Sequence, residues 1–490
     1  MKLKLKRLKL GAGRPIAFIH EGAARKLNLH LGDRVEISHG RKKIIALVDL
    51  VRERIKPNEA YLSEEITSFL KIEPGDTIEV TLALAPISAR YIAKKLSGIP
   101  LTKKEITTII KDIVSNALTE GEVAYFVSAT YEHGMSLKEI IYLTESMYKT
   151  GKSITWQKGM KIVDKHSIGG IAGNRTTPII VSICAAAGIV MPKTSSRAIT
   201  SASGTADVVE TLAKVDLSIP ELKKVVRRTG ACLVWGGSLG MAPADDKLIR
   251  VERLLSLDPE SQLIASIMSK KLAVGSKYVL IDIPYGPQAK VSKKRANRLR
   301  KSFLDVGKHF NLRMRAILTD GSQPIGNGIG PILEIKDVLR VLERNDPPKI
   351  LEKKSIMVAA EILEMTGKSK KGQGKSLAKK LLDSGEALNK FNEILDAQGR
   401  KKGGLKTAKF KHDLKAKTGG KIKSINNRLT NYLGRILGCP LDKAAGIYIH
   451  HHKGEKIKKG ETLLTLYSET KNKLREAINF FKKTKIISFH

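Results

Sequence analysis

Cysteine is scarce in this 490-residue chain, which has three, Cys184, Cys232 and Cys439, far apart in sequence. That spacing excludes a disulfide framework and gives no zinc pattern, so a reducing compartment is expected. Aromatic residues make up only 5% of the chain, and they do not interleave with the basic runs as a base-stacking surface requires. No apolar run reaches the roughly 18 residues of a membrane span, and the start MKLKLKRLKLG alternates like a strand instead of leading into a signal-peptide core. A cytoplasmic protein with no membrane partner is expected. Acidic residues are also few: 48 Asp and Glu face 88 Lys and Arg, a formal net charge of +40. A field of that sign concentrates phosphates and nucleic acids. The excess is scattered over helical stretches such as 368–380 and 401–423, so a solvated surface is the plainer reading and nucleic-acid binding its rival.

Hydrophobic residues form 42% of the chain, enough for several cores, and the pattern is that of a multi-domain α/β protein. Residues 1–85 contain a repeat, AARKLNLHLGDRVEI (23–37) and ITSFLKIEPGDTIEV (66–80), each a short helix, a Gly-Asp turn and an alternating strand. A small pseudo-symmetric β-barrel follows from that pattern. Three capping-box starts, Thr102 to Glu105, Thr119 to Glu122 and Ser136 to Glu139, mark 86–160 as a helical domain, joined by part of 243–275. Residues 161–423 alternate strand-like runs (KIVD, IVMPKTS, YVLIDIP, RMRAILT) with helical ones and end in a Lys-rich helical stretch. This is a central α/β domain with phosphate-binding turns at its strand ends. Residues 424–490 read as a small α+β domain.

The strongest local signal is Asp164-Lys165-His166-Ser167-Ile168-Gly169-Gly170, which joins the strand KIVD to the helix TTPIIVSICAAAG. Such a turn presents backbone N–H groups and a helix start to an anion, with Lys165 as a point charge, Ser167 as a hydroxyl donor and two glycines that admit the ligand. His166, inside the turn, would assist an anion if protonated. A second turn of the same design runs from Ser195 to Asp207, where Arg197 offers a fork that can clamp a phosphate among six hydroxyl side chains. An ordinary tight connection remains the alternative for either turn alone. Two consecutive ones suggest two phosphate groups.

The run SSRAITSASGTADVVE and the turn DKHSIGG resemble the signatures of the thymidine/AMP phosphorylase family. The similarity continues through LGMAPADDK, LIASIMSKKLA, LTDGSQPIGNGIG and GIYIHHHKGEKIKKGETLLTLYS, and so covers about 86–490. The barrel-like start resembles the archaeal AMP phosphorylase branch. The resemblance implies a pentosyltransferase that uses inorganic phosphate as co-substrate and no cofactor or metal, and that forms a homodimer or larger homo-oligomer. It implies phosphate contacts at Lys165, Ser167, Thr177, Ser195 and Thr205. Nucleotide contacts are implied at Gly170, Ser196, Arg197, Ala198, Ile199, Thr200, Ser201, Thr205, Ser266 and Lys290, and a proton donor at Asp258.

Ile168 departs from the family, standing where a hydroxyl is usual. A second departure bears on substrate: the Tyr and Arg that hold the base in pyrimidine phosphorylases are replaced by Leu248 and Val251, with Arg250 and Arg253 as neighbours. AMP, with CMP and UMP beside it, is therefore expected as the substrate in nucleotide salvage, and thymidine is the alternative. Gly374-Lys375-Ser376 lacks the first glycine of a phosphate-binding loop. Gly326 to Gly330 reads as a glycine-rich turn. His450, His451 and His452 alternate faces in an extended segment, so they cannot converge on one ion.

Overall fold

The alternating apolar residues at the start of the chain build strands that close on themselves. The computed structural model describes every residue except Arg7, Ile199 and Thr200. It begins β1 (Lys2–Leu5), β2 (Ile16–His20), α1 (Glu21–Lys26), β3 (Arg34–His39), β4 (Lys42–Val51), β5 (Glu59–Leu62), α2 (Glu64–Leu70) and β6 (Thr77–Leu82). The six strands form a closed barrel in the order β1-β5-β2-β4-β3-β6. The sequence repeat is visible in it. Helices α1 and α2 each lead through a left-handed glycine, Gly32 at φ 85° and Gly75 at φ 103°, into β3 and β6, which pair with each other. A β-carbon disfavours that backbone conformation, which is why glycine recurs there.

Helices α3 (Ile87–Leu96), α4 (Lys103–Val114), α5 (Glu120–Glu132) and α6 (Leu137–Lys149) follow. The boxes at Thr102, Thr119 and Ser136 all form, each joining the N-cap and N3 residues reciprocally. Next come β7 (Val163–Ser167), α7 (Thr176–Ala186), β8 (Met191–Ser195), α8 (Thr205–Val209), α9 (Ile219–Thr229), β9 (Ala231–Trp235), α10 (Pro243–Leu255) and α11 (Glu260–Ala273). The order continues with β10 (Tyr278–Tyr285), α12 (Lys293–His309), β11 (Arg313–Asp320), β12 (Gly328–Ile329), α13 (Pro331–Leu342), α14 (Lys349–Met365), α15 (Gly374–Asp383) and α16 (Glu386–Ala397). It ends with β13 (Phe410–Lys415), β14 (Gly420–Ile425), α17 (Asn427–Leu437), β15 (Gly446–Ile449), β16 (Lys456–Ile457), β17 (Thr462–Ser468), α18 (Lys471–Lys483) and β18 (Ile487–Phe489).

The chain divides into two units, Met1–Gly151 with Ala242–Ser269, and Lys152–Met241 with Lys270–His490. In the first unit, Ala244, Leu248 and Val251 of α10 enter the same apolar core as Ile106, Ile110 and Phe126 of the helical bundle. The barrel belongs to this unit too: Arg34 reaches Glu122 and the Ala117 carbonyl, and Arg250 Nη1 donates to the Gly13 carbonyl at 2.9 Å.

In the second unit β7, β10 and β11 form a parallel sheet in the order β11-β10-β7, and β8 pairs in parallel with β9. Helices α7 and α13 to α16 contribute to one large aliphatic core with these strands. Two expectations are corrected here. The helix read from ADVVETLAK is only the five residues of α8, because the chain tightens into i→i−3 turns at Thr211 and Leu212 and Ala213 then bridges Arg400. The Lys-rich stretch does not stay helical to Lys423: β13 pairs with β17, and β14 pairs with β16 and β18. Its exposed lysines alternate with the buried Leu414, Ile422 and Ile425, which is strand periodicity carried by few apolar residues.

Candidate active site

The site grows from the C-terminal ends of the parallel strands, where an α/β sheet leaves a crevice. Strand β7 ends in the Lys165 to Ser167 run, and the chain then turns through Gly169 and Gly170, at φ 86° and 88°, before α7 begins at Thr176. Both glycines hold backbone that side-chain-bearing residues rarely adopt. A methyl group on Gly170 would also lie 3.0 Å from the Lys290 β-carbon, so the turn and Lys290 are close neighbours.

Lys165 is 1% exposed. Its Nζ donates to Thr176 Oγ1 at 3.1 Å and to Thr177 Oγ1 at 3.3 Å. Burial drives its pKa down to about 7, with the Asp282 carboxylate opposing that drop. Hydroxyls alone cannot neutralise an ammonium, so this lysine retains capacity for an anion. Ser167 accepts from Asn174 Nδ2 at 3.3 Å. Beneath the turn, Asp164 is fully buried, and it accepts the Lys165 N–H at 2.7 Å and pairs with Lys271 and Lys193. Burial works to raise the Asp164 pKa, and the two lysines overcome it, leaving the carboxyl below its usual range. His166 is held well below its usual range by burial and then by Lys271 and Lys193. The protonated form that would assist an anion is therefore disfavoured.

The second turn is arranged differently. Asp207 gathers it by accepting the Ala198 N–H at 2.7 Å and the Gly204 N–H at 2.8 Å. Ser201 Oγ donates to the Ser203 carbonyl at 2.8 Å, and the Ser196 carbonyl accepts the Ala206 N–H at 3.3 Å. The Ser195 hydroxyl oxygen is buried with no hydrogen-bond partner among the described residues. Arg197 donates to both carboxylate oxygens of Glu210, at 2.9 and 2.7 Å, and to Asp207 at 3.3 Å, and it lies 4.8 Å from the centre of the Trp235 ring. The hydrogen bonds from Arg197 pull Glu210 down to about 2. The fork read as a phosphate clamp is thus engaged with carboxylates of its own turn. Ile199 and Thr200 lie outside the described residues.

One arginine escaped the sequence reading. Arg175, just before α7, donates to Glu334 Oε2 at 2.6 Å, to Thr205 Oγ1 at 2.8 Å and to the Ser203 carbonyl at 2.9 Å. It ties the first turn to the second. Glu334 is 159 residues away, so no local motif announces the pair.

Asp258 and Ser266 belong to the first unit. Asp258 is half-buried, just ahead of α11, and Ser266 is half-buried on it. Leu248 and Val251 are 1% and 4% exposed in the helical core, and Arg250 is engaged by the barrel. Neither Leu248 nor Val251 offers a polar grip on a base. The Gly326 to Gly330 turn leads through β12 into α13, with Gly330 at φ 114°. The three histidines meet different partners: His450 with Thr465, His451 with Glu455, and His452 with Asn327.

Three family models match the chain: the helical bundle domain of a glycosyl transferase family over 89–151, the a/b domain of that family over 159–388, and the pyrimidine nucleoside phosphorylase C-terminal domain over 422–488. AMP phosphorylase of Pyrococcus horikoshii is 46% identical over 98% of this chain and 96% of its own length. AMP phosphorylase 1 of Archaeoglobus fulgidus is 41% identical over 98% and 95%. A Legionella pneumophila protein provisionally named as a thymidine phosphorylase is 42% identical over 92% and 87%. Among solved structures, anthranilate phosphoribosyltransferase of Thermus thermophilus superposes with a TM-score of 0.53 at 15% identity, over 63% of this chain and 98% of that one, a likeness of fold alone.

Proposed function

The chain belongs to the thymidine/AMP phosphorylase family, and from that premise we propose that it cleaves AMP with inorganic phosphate, releasing adenine and ribose 1,5-bisphosphate. The observation that carries the reading is the desolvated Lys165 at the end of β7, whose side chain is held among the described residues by the Thr176 and Thr177 hydroxyls at the start of α7. Such a group favours a phosphate that can supply the missing negative charge. In this reading Lys165, Ser167, Thr177 and Ser195 hold the attacking phosphate. Gly170, Ser196, Ala198, Ser201, Thr205, Ser266 and Lys290 hold the nucleotide, Arg197 shapes the second turn through Asp207 and Glu210, and Asp258 protonates the departing base. Phosphate attacks the anomeric carbon, the C–N bond breaks, and the configuration inverts. Positioning and preorganised donors lower the barrier, and the chemistry draws on no cofactor. The enzyme works as a homodimer or larger homo-oligomer.

AMP is favoured over thymidine because Leu248 and Val251 are buried in an apolar core, where a pyrimidine phosphorylase would present polar side chains. The full-length relatives named as AMP phosphorylases point the same way. Incubating the pure protein with phosphate and AMP, CMP, UMP, thymidine or uridine tests it. Phosphate-dependent release of adenine from AMP is expected. Release of base from the nucleosides alone would overturn the AMP reading in favour of thymidine phosphorylase.

A further inference from the structure

Four lysines of the second unit are almost fully buried: Lys165 and Lys271 at 1% exposed, Lys193 at 4% and Lys354 at 7%. Burying an ammonium is costly unless an opposite charge accompanies it. Lys193 and Lys271 share Asp164. Lys354, on α14, has Asp282 at 3.0 Å and makes no hydrogen bond among the described residues. Lys165 has no carboxylate of its own among the described residues. Asp282 lies two residues beyond Leu280, the register partner of Lys165, and so projects from the same face of the sheet; it favours the Lys165 charge, and Lys354 already engages it.

Asp282 is fixed from several sides. It lies on β10 opposite Ser167 of β7. Its carbonyl accepts the N–H of Ile168 at 3.1 Å, inside the phosphate turn. Its Oδ1 accepts from Thr319 of β11 at 2.6 Å, and Lys354 approaches Oδ2. A fully buried carboxylate held this way cannot turn toward solvent or substrate. It can act only through its neighbours, and the neighbour whose charge is unbalanced is Lys165.

We propose that the Asp282–Lys354 pair sets the charge and aim of Lys165, and through it the affinity for phosphate, without either residue touching substrate. This rests on the reading of Lys165 as the phosphate-holding group. Asp282 favours the ammonium form of Lys165. Lys354 disfavours it and dilutes the pull of Asp282, so that a bound phosphate completes the balance. Lys193 on β8 and Arg175 ahead of α7 also disfavour the Lys165 charge, and each has a carboxylate partner, Asp164 and Glu334.

The sign of each effect is distinct. Removing the carboxylate makes Lys165 lose its proton at lower pH, and removing the second ammonium makes it keep the proton to higher pH. The test measures kcat/KM for inorganic phosphate against pH at saturating AMP, in the full chain. Asp282→Asn should move the alkaline limb down by about 1 unit or more and raise the phosphate KM at pH 7 about tenfold, with the KM for AMP little changed. Lys354→Met should move the limb up. The double variant should return it toward the wild-type position, because the pair is then removed as a neutral whole.

A pair that only braces the sheet would lower the melting temperature and leave the limb in place. Folded single variants whose limbs stay put, or move in the same direction, overturn the proposal. If Asp282→Asn does not fold, Lys354→Met decides alone: an upward shift supports the proposal and an unmoved limb overturns it. A wild-type protein that releases no base in a phosphate-dependent way removes the reading of the site, and this inference with it. That outcome is distinguishable from variants that shift nothing in an active enzyme.

Discussion

The turns after β7 and β8 share a strand-turn-helix design, yet their positive charges are used differently. In the first turn Lys165 is buried against two hydroxyls and pushed down to about 7. In the second, Arg197 is saturated by Asp207 on α8 and Glu210 just after it, and lies near Trp235. The sequence makes the arginine look like the stronger phosphate ligand, since its fork fits an oxyanion bidentately. The environment reverses that ranking. A charge already satisfied inside the protein shapes a loop, whereas one desolvated without a counter-ion favours a ligand.

The largest effect is expected at a residue that neither turn can replace. Both turns offer cations, hydroxyls and amides, and the proposed function gives the proton for the leaving base to Asp258, the position that the family resemblance implies. Asp258→Asn keeps the size of the side chain and cannot deliver the proton. It should lower kcat by about 10²-fold or more with nucleotide affinity and melting temperature little changed. Near-normal turnover would reduce Asp258 to a structural residue ahead of Pro259 and leave the acid to be sought elsewhere.

The comparison between the turns is broken or upheld by their two cations. Lys165→Ala should raise the phosphate KM or lower turnover about tenfold or more, a difference of at least roughly 1.4 kcal/mol, with nucleotide binding less affected. Arg197→Ala should instead act on stability, lowering the thermal midpoint by about 2 to 4 °C while the phosphate KM changes less than about threefold. Steady-state kinetics and thermal melts on the two variants decide it. A tenfold rise in phosphate KM for Arg197→Ala, with melting unchanged, would mean that the arginine leaves Glu210 when substrate binds.

What the sequence made legible follows the range of the interactions involved. The capping boxes at Thr102, Thr119 and Ser136 were readable because donor and acceptor lie three residues apart. The barrel was readable because a Gly-Asp turn occurs twice in one setting, and β7, β8, β10 and β11 because apolar runs end at turn formers. The Lys165 turn was found through its paired glycines. Strands β13 and β14 escape the sequence reading because only two apolar residues in each, Phe410 with Leu414 and Ile422 with Ile425, mark their period. Nothing local marks Lys193, Lys271 and Lys354 as buried in a sequence with 88 Lys and Arg, since their burial is decided by distant carboxylates. Arg175 and Glu334 were invisible for the same reason, and so was the engagement of Arg197, whose partners sit on α8 and just beyond it.

The smallest expected effect concerns acid, and it probes the second turn alone. Glu210 is lowered from 4.5 to about 2 by its hydrogen bonds to Arg197, burial opposing and Lys443 adding to the shift. A carboxyl whose folded pKa is depressed contributes stability that is fully present above its unfolded value, and that contribution is lost as pH falls through the folded value. The stability gap between wild type and Arg197→Ala should therefore be constant from neutral pH down to about 5 and narrow between about 4.5 and 2. Lys165→Ala should show a smaller narrowing, because Lys165 hydrogen-bonds to hydroxyls and Asp282, the carboxylate it acts on, keeps Lys354 as its ion-pair partner. Denaturation midpoints of the two variants across that acid range check the difference. A gap for Arg197→Ala that stays constant to the acid limit would show that the Glu210 pairing is not what holds the second turn together. The contrast between a self-neutralised turn and an open one would then rest on Asp207 alone, whose carboxylate also caps Ala198 and Gly204.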